Sequence, residues 1–123
     1  MVRIHVGQPG TILRLALPKQ NLTVAGAVLY LPNDVMKFYY VYVLHNPQKD
    51  FVYIGYSENL RSRISYHNDG KVQSTKAYLP LKLIHYEAYK SKADAKRREF
   101  YLKSNRGKTT LTTMLKEYFS GNR

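Results

Sequence analysis

Tyr40-Val41-Tyr42 and, after ten further residues, Tyr53-Ile54-Gly55 are the stretches that decide how this chain folds. They lie within runs 38–44 and 51–55, whose aromatic and β-branched residues favour β-strands. The segment between the runs contains Asn46-Pro47, which is typical of a turn. Two strands joined by a short turn predict an antiparallel hairpin.

The residues after the hairpin predict the rest of the domain. Asn59 is a good N-cap for a helix that begins at Leu60 and ends near Asp69-Gly70. Ser91 and Asp94 have the spacing of a capping box. The predicted segments are a strand over 81–89, a helix over 92–103, a basic loop over 105–108 and a helix over 110–119. This order, β-β-α-β-α-α, predicts an α/β fold of the α+β type: a small three-stranded, mainly antiparallel sheet flanked by helices.

Residues 1–35 differ in character from the rest of the chain. They contain three of the five prolines and show no clear helical or strand period. We expect a poorly ordered N-terminal extension with one short strand near 24–31. The domain is expected to span residues 36–123, with Met36 as the natural start.

Composition limits the class of protein. A chain of 123 residues with 44% hydrophobic content suits one domain with a modest core. The absence of cysteine excludes disulfides and cysteine-based zinc sites, and it fits a cytoplasmic location, which we expect. No apolar run approaches the roughly 20 residues that span a bilayer, so no membrane partner is predicted.

Charge points to an anionic partner. The formal net charge is +12, and residues 36–123 carry +10 of it together with eleven of the twelve tyrosines. Basic residues interleaved with aromatic ones suit a surface that meets phosphates and bases. The sequence therefore predicts a nucleic-acid partner, although a basic protein without such a partner remains an alternative.

The first predicted helix carries two candidate functional residues. Leu60, Ile64 and His67 share one helical stripe, and Arg63 flanks it one turn before His67. Because the stripe changes from apolar residues to histidine, we expect the end of this helix to lie at a functional site rather than in the core. The alternatives are a histidine at the negative end of the helix and, for Arg63 as for Arg61, a solvated charge.

Glu99 is a third candidate because it shares a helix face with Ala95 and Leu102. A half-buried carboxylate is costly unless it is paired or bound to a metal. Mg²⁺ often takes only one or two protein carboxylates, so Glu99 is a candidate metal ligand. The alternative is a salt bridge to a neighbouring cation, for which the sequence offers Arg97, Arg98 and Lys103.

Tyr42 and Tyr53 lie on neighbouring predicted strands, where tyrosines usually serve packing. Gly55 follows Tyr53 on the same strand face and leaves room for a backbone or a ligand. That arrangement makes both tyrosines candidates for a site.

Together these residues resemble the GIY-YIG nuclease superfamily, and its small stand-alone bacterial members in particular. Tyr40-Val41-Tyr42 stands where Gly-Ile-Tyr would, and Tyr53-Ile54-Gly55 is an intact second motif. Arg63 takes the place of the catalytic arginine, His67 that of a tyrosine or histidine, and Glu99 that of the metal-binding glutamate. Tyr56 stands where nucleotide-repair members have lysine, and Asn105 is a candidate for the asparagine of larger members. The resemblance covers about residues 37–108.

The resemblance implies a metal-dependent nuclease that hydrolyses phosphodiester bonds in DNA and selects structure rather than sequence. Glu99 would hold Mg²⁺ or Mn²⁺, Arg63 would neutralise phosphoryl charge, and Tyr53 or Tyr42 would deprotonate water. His67 would position phosphate or water, or shuttle the proton. No obligate protein partner is indicated. The residues expected to hold the nucleic-acid backbone are Arg61, Lys71, Lys76, Arg97, Arg98, Lys103, Arg106 and Lys108.

Two other functions stay open at this point. One is a module that binds DNA or RNA on the same scaffold without cutting it. The other is a basic protein bound to the ribosome or another assembly.

Overall fold

A computed structural model of the chain describes residues 36–121. The predicted N-terminal extension, with its strand near 24–31, lies outside these residues. The strands are β1 (Tyr39–Asn46), β2 (Phe51–Ser57) and β3 (Lys82–Tyr89). The helices are α1 (Leu60–Asn68), α2 (Lys92–Lys103), α3 (Asn105–Met114) and α4 (Lys116–Gly121), and a 3₁₀ turn covers Lys76–Tyr78.

The predicted hairpin is confirmed. β1 and β2 pair antiparallel, with Tyr42 opposite Gly55 and Leu44 opposite Tyr53. The connecting turn is closed by Asp50, whose φ of 49° is left-handed, and by a bond from its amide to the Pro47 carbonyl. Both strands are two residues longer than predicted at their C-terminal ends.

The sheet is three-stranded and entirely antiparallel, in the order β2-β1-β3, so β1 is the central strand. The register of β1 against β3 shifts between Val43 and Leu44, which leaves Ile84 as an extra residue on β3. From Val41 onward, β1 is buried on both faces of the sheet. This burial explains the run of apolar and aromatic residues up to Leu44, and the strand ends in two buried polar residues, His45 and Asn46.

Helices cover both faces of this sheet. On one face Val41, Val43 and Ile54 pack against Ala95 and Leu102 of α2, and against α3. On the other face Tyr42 and Leu44 pack with Tyr53 against the α1 stripe predicted from sequence, Leu60 and Ile64. The predicted α+β class and element order are therefore confirmed, with helices on two sides of the sheet.

α1 has the predicted ends. The Asn59 side chain accepts a hydrogen bond from the Ser62 amide at 3.2 Å. Gly70 has a φ of +75°, the left-handed conformation that glycine adopts without strain after a helix.

The predicted capping box of α2 is wrong. Ser91 is the N-cap residue, but within residues 36–121 its side chain makes no capping hydrogen bond. The Asp94 carboxylate bonds to the Arg97 guanidinium at 2.9 Å instead. A short aspartate near an exposed arginine one turn away takes the stronger, charge-assisted partner.

Residues 105–108 do not form the predicted basic loop but the first turn of α3. The Ser104 hydroxyl caps α3 by accepting from the Gly107 amide at 3.1 Å. Gly107 is buried, and a Cβ there would lie 1.9 Å from the Tyr101 carbonyl oxygen and 2.5 Å from Leu102 Cα. Glycine thus allows α3 to start directly against the end of α2. The predicted helix over 110–119 is also two helices, divided at Leu115.

Candidate active site

The candidate site begins with the packing of Tyr42 over Gly55. The two residues face each other across the β1–β2 ladder. A Cβ at Gly55 would lie 2.5 Å from both Cζ and the hydroxyl oxygen of Tyr42, and 2.9 Å from Cε1 of Tyr53. The room that the sequence predicted above Gly55 is therefore filled by the Tyr42 ring, and the glycine fixes the position of that hydroxyl.

A chain of hydrogen bonds starts at this hydroxyl. Arg63 Nε donates to the Tyr42 oxygen at 3.3 Å, and that hydroxyl lies 2.8 Å from His67 Nε2. His67 Nδ1 lies 2.9 Å from Thr75 Oγ1, which in turn lies 3.5 Å from the Val72 carbonyl. With Nδ1 protonated, every donor points the same way, from arginine to tyrosine to histidine to threonine. α1 and the following loop thus hold Tyr42 and Arg63 together.

His67 is fully buried, with 0% of its surface exposed. Burial and the nearby Arg63 charge lower the pKa of His67, so the ring is neutral near pH 7. A side chain without exposed surface does not reach a bound phosphate. The structure places His67 against Tyr42, away from the exposed surface.

Tyr42 and Tyr53 differ in their access to water. Burial raises the pKa of Tyr42 to about 12, against the opposing effect of the Arg63 hydrogen bond. Tyr42 is fully buried and therefore stays protonated at neutral pH. Tyr53 is only half-buried, and its ring meets His67 edge-on with centroids 4.9 Å apart. The hydrogen bond to Tyr42, with a further one to Tyr53, raises the pKa of Arg63 and secures its positive charge.

Glu99 lies on α2 with its side chain 12% exposed and ion-paired to two lysines. Oε1 is 3.0 Å from Lys96 Nζ, and Oε2 is 2.9 Å from Lys103 Nζ. Burial alone would raise the pKa of Glu99, but the bonds from Lys103 and Lys96 outweigh it and lower the pKa. The ionised carboxylate also contributes to the raised pKa of Tyr42, which places its charge within electrostatic reach of that hydroxyl.

The donor set at Glu99 fits one kind of cation. Within residues 36–121 no group of three histidine, cysteine, aspartate or glutamate side chains converges, so a cation fully coordinated by protein has no ligands there. A single ionised carboxylate suits a hydrated Mg²⁺ or Mn²⁺, which keeps waters and takes substrate oxygens. The two lysines are 52% and 51% exposed and are long enough to turn aside from the carboxylate.

A cleft of about 540 Å³ runs beside α1 and adjoins the site. Leu60 and Ile64 line it and also pack against the cluster of Tyr42 and Tyr53. Arg61 lies at this cleft, together with the rings of Tyr40 and Tyr86. An exposed cation beside a cleft next to the site is well placed for a bound phosphate.

Three of the other basic residues predicted to contact nucleic acid are paired with carboxylates. Arg98 bonds through Nε and Nη2 to Glu87, and Arg97 and Lys103 are paired on α2 with Asp94 and Glu99. Lys71 lies over the Tyr66 ring at 5.5 Å. The residues with exposed side chains are Arg61, Lys71, Lys76, Arg97, Lys103, Arg106 and Lys108. Of the residues predicted to contact nucleic acid, only Arg98 has a partly buried side chain, which is paired with Glu87 on β3.

Sequence reasoning missed three residues of this region. Thr75 lies in a polar loop, where no periodic pattern marks it as the partner of His67. Lys96 was not among the predicted partners of Glu99, although it lies one turn before it. Glu87 bonds to Arg98, His85 and Tyr89, and the alternation of His85, Glu87 and Tyr89 on one strand face could have indicated it.

Comparisons with known proteins agree with this geometry. A family model described as the GIY-YIG catalytic domain matches residues 38–112. A UPF0213 protein of Staphylococcus haemolyticus is 37% identical over 70 residues, which is 56% of this chain and 84% of the relative. A UPF0213 protein of Bacillus licheniformis is 39% identical over 66 residues, 53% of this chain and 67% of the relative. No solved structure gives a significant match.

None of the helices within residues 36–121 has the length and apolar character needed to cross a bilayer. The superfamily acts on nucleic acid and generally uses divalent metal ions. The family match covers more than half of the chain and includes the hairpin, α1 and the helix of Glu99, so this protein belongs to the GIY-YIG nuclease superfamily.

Proposed function

We propose that this protein is a metal-dependent endonuclease that hydrolyses phosphodiester bonds in DNA and selects structure rather than sequence. The observation that supports it most is the hydrogen-bonded cluster of Tyr42, Arg63 and His67 within electrostatic reach of the ionised Glu99. It combines a fixed cation, hydroxyl groups and one carboxylate, the groups that phosphodiester hydrolysis requires.

Arg63 is proposed to balance the charge that grows on the phosphoryl oxygens. Its Nε donates to Tyr42, which fixes the direction of the guanidinium, and the N–H groups that do not bond to Tyr42 or Tyr53 are proposed to meet a phosphate. An arginine held before substrate arrives needs no reorganisation during the reaction. Tyr42 and His67 are then positioning residues, since both are fully buried.

Tyr53 is proposed to orient the attacking water and receive its proton. It has the half-exposed side chain that such a role requires, whereas Tyr42 is enclosed and has its pKa raised to about 12. Arg63 also bonds to Tyr53, so the cation and the hydroxyl proposed to hold the water lie together.

Glu99 is proposed to be the protein ligand of the divalent cation. A bound Mg²⁺ or Mn²⁺ would supply Lewis-acid stabilisation of the leaving oxygen. Lys96 and Lys103 keep the carboxylate ionised and, once displaced from it by the cation, would be free to pair with phosphates of the nucleic acid.

The test compares wild-type protein with Glu99→Gln on labelled single-stranded, duplex and branched DNA, in Mg²⁺, Mn²⁺ or EDTA. We expect metal-dependent cleavage by the wild type, at least a thousandfold slower cleavage by Glu99→Gln, and similar DNA affinity for both in EDTA. Glu117→Gln is the matched control, because Glu117 is an exposed carboxylate on α4. Cleavage that persists in Glu99→Gln would contradict the role of Glu99.

One observation favours a second function, a module that binds nucleic acid without cutting it. Both oxygens of Glu99 are occupied by lysines, which compete with a cation for the carboxylate. If this function is correct, the wild type retains all three DNA forms and cleaves none of them in either metal.

A further inference from the structure

Phe100 lies on the exposed side of α2. Its side chain is 81% exposed, more than any other large apolar residue described within residues 36–121. The apolar residues that hold α2 on the sheet, Ala95 and Leu102, lie on the opposite side of the helix. Phe100 therefore contributes nothing to the core, and the fold alone gives no reason for a phenyl ring there.

Cations surround this ring. Lys96, Arg97 and Lys103 lie four and three residues before it and three after it, the spacings that place side chains next to each other on a helix. Lys96 Nζ also lies over the ring of Tyr56 on β2, 4.6 Å from its centroid. Lys96 thus contacts the Tyr56 ring and, four residues before Phe100, lies on the same side of α2 as that ring.

We propose that Phe100 stacks on a nucleobase of the bound nucleic acid while the flanking cations hold its phosphates. This inference rests on the proposed function, since it names how that substrate is held. A nucleic acid presents a flat π-face and a negative charge within one nucleotide, which matches an exposed ring among cations. The position immediately after Glu99 places the contact close to the proposed metal ligand.

The stacked base could come from a single strand, or from a base pair that the phenyl ring opens. Both sources offer the same surface, because a phenyl ring can stack on a free base or wedge between base pairs. Oligothymidylate and a blunt duplex of mixed sequence distinguish them. Contact with the first only indicates unpaired bases, and contact with both indicates insertion.

The chain contains no tryptophan, so Phe100→Trp introduces a single probe at the proposed contact. We expect its emission to fall when oligothymidylate or duplex is added in EDTA, where cleavage is prevented. Thr113→Trp on α3 is the matched control, since Thr113 is exposed on another helix, and its emission should stay constant. Constant emission at position 100 during binding seen by anisotropy of labelled DNA would overturn the proposal.

Affinity gives a second test. Phe100→Ala and Phe100→Leu should each weaken binding by about fivefold to a hundredfold, the loss typical of removing one base-stacking ring. Phe100→Tyr should bind as the wild type does. The salt dependence should be the same in all variants, because no charge is removed. Equal affinity of Phe100→Ala and wild type would overturn the proposal.

Two results separate this inference from the proposed function. If wild-type protein neither binds nor cuts DNA, the proposed function fails and takes the inference with it. If wild type cuts DNA and Phe100→Ala binds it equally well, only the inference fails. Sedimentation that shows a dimer lost in Phe100→Ala, with DNA affinity unchanged, would assign the ring to self-association instead.

Discussion

The contact between Tyr42 and Gly55 shows how a motif glycine acts at the scale of single residues. A Cβ at position 55 would lie 2.5 Å from the Tyr42 ring, closer than atoms can approach. The glycine therefore determines where the Tyr42 hydroxyl lies and, through it, the direction of Arg63. The geometry of the proposed site thus depends on the lack of a side chain at position 55.

Gly55→Ala should lower the free energy of unfolding by about 2–3 kcal/mol because the added methyl overpacks the interior. Urea denaturation measures it. Tyr42→Leu removes the part of the ring that the added methyl would meet. In the double mutant, the loss of unfolding free energy should therefore be smaller than the sum of the two single-mutant losses by about 1 kcal/mol or more. Strict additivity would show that the two residues do not compete for this space.

His67 gives a prediction for pH dependence. Its pKa is lowered in the folded protein by burial and by Arg63, so the unfolded chain binds its proton more tightly. The contribution of His67 is complete above about pH 6.5, the ordinary value of histidine, and is lost as pH falls below it. Stability measured by urea denaturation should decline from pH 7 to pH 5 in the wild type and less steeply in His67→Gln. Parallel curves would contradict this.

At the scale of elements, the start of α3 depends on Gly107, which the sequence had placed in a loop. Ser104 caps the helix and Gly107 lets its first turn touch the backbone of α2. The sequence Asn105-Arg106-Gly107-Lys108 has no apolar residue and contains glycine, so local propensity predicts a loop. The close approach to α2 overrides that propensity, and nothing in one sequence signals it.

Gly107→Ala should be strongly destabilising, by about 3 kcal/mol or more, because its Cβ would meet backbone atoms that cannot turn aside. Gly121→Ala is the matched control, since a Cβ there meets nothing within 4 Å, and it should be neutral or slightly stabilising. Thermal unfolding followed by circular dichroism measures both. A melting temperature of Gly107→Ala equal to that of the wild type would contradict the close packing of α2 and α3.

The ion pair between Glu87 and Arg98 links β3 to α2. Burial opposes ionisation, but bonds from Arg98, His85 and Tyr89 lower the pKa of Glu87 from 4.5 to about 2. The folded protein thus holds this proton less tightly, and the stabilisation is present above pH 4.5 and lost as pH falls toward 2. The difference between the pKa of Glu87 in the unfolded and the folded state corresponds to roughly 3 kcal/mol of stability, at 1.36 kcal/mol for each pKa unit.

Glu87→Gln should therefore be less stable than wild type at pH 7, by roughly 2–3 kcal/mol because it leaves Arg98 without its carboxylate. The gap should narrow as pH falls from 4.5 toward 2, because the unfolded wild-type chain takes up the Glu87 proton before the folded protein does. Guanidinium denaturation at these pH values measures it. A gap that stays constant would show that folding does not lower the pKa of this carboxylate.

At the scale of the whole molecule, the sequence predicted the fold well and the site in part. Hairpin, sheet, α1 and α2 follow from strong local patterns, such as the run from Phe38 to Leu44. The candidate residues Tyr42, Arg63 and His67 are brought into contact. Which groups face water could not be predicted, because the burial of His67 depends on Thr75 and on a loop without periodic pattern.

We propose that residues 36–123 fold and act without residues 1–35. The family match begins at residue 38, and the residues from Phe38 onward form a compact unit by themselves. A chain that starts at Met36 should melt within about 2 °C of the full chain, since roughly 1 kcal/mol shifts the melting temperature by 4–8 °C in a domain of this size. A larger loss of melting temperature or of DNA affinity would assign residues 1–35 a part in the domain.

The Tyr42–Gly55 contact also constrains how such a chain can change over generations. A larger residue at position 55 is excluded while the tyrosine ring is in place. A smaller residue at position 42 gives up the hydroxyl that holds Arg63 and His67. Either single substitution is expected to cost stability or the proposed activity. We therefore expect positions 42 and 55 to change together rather than one at a time.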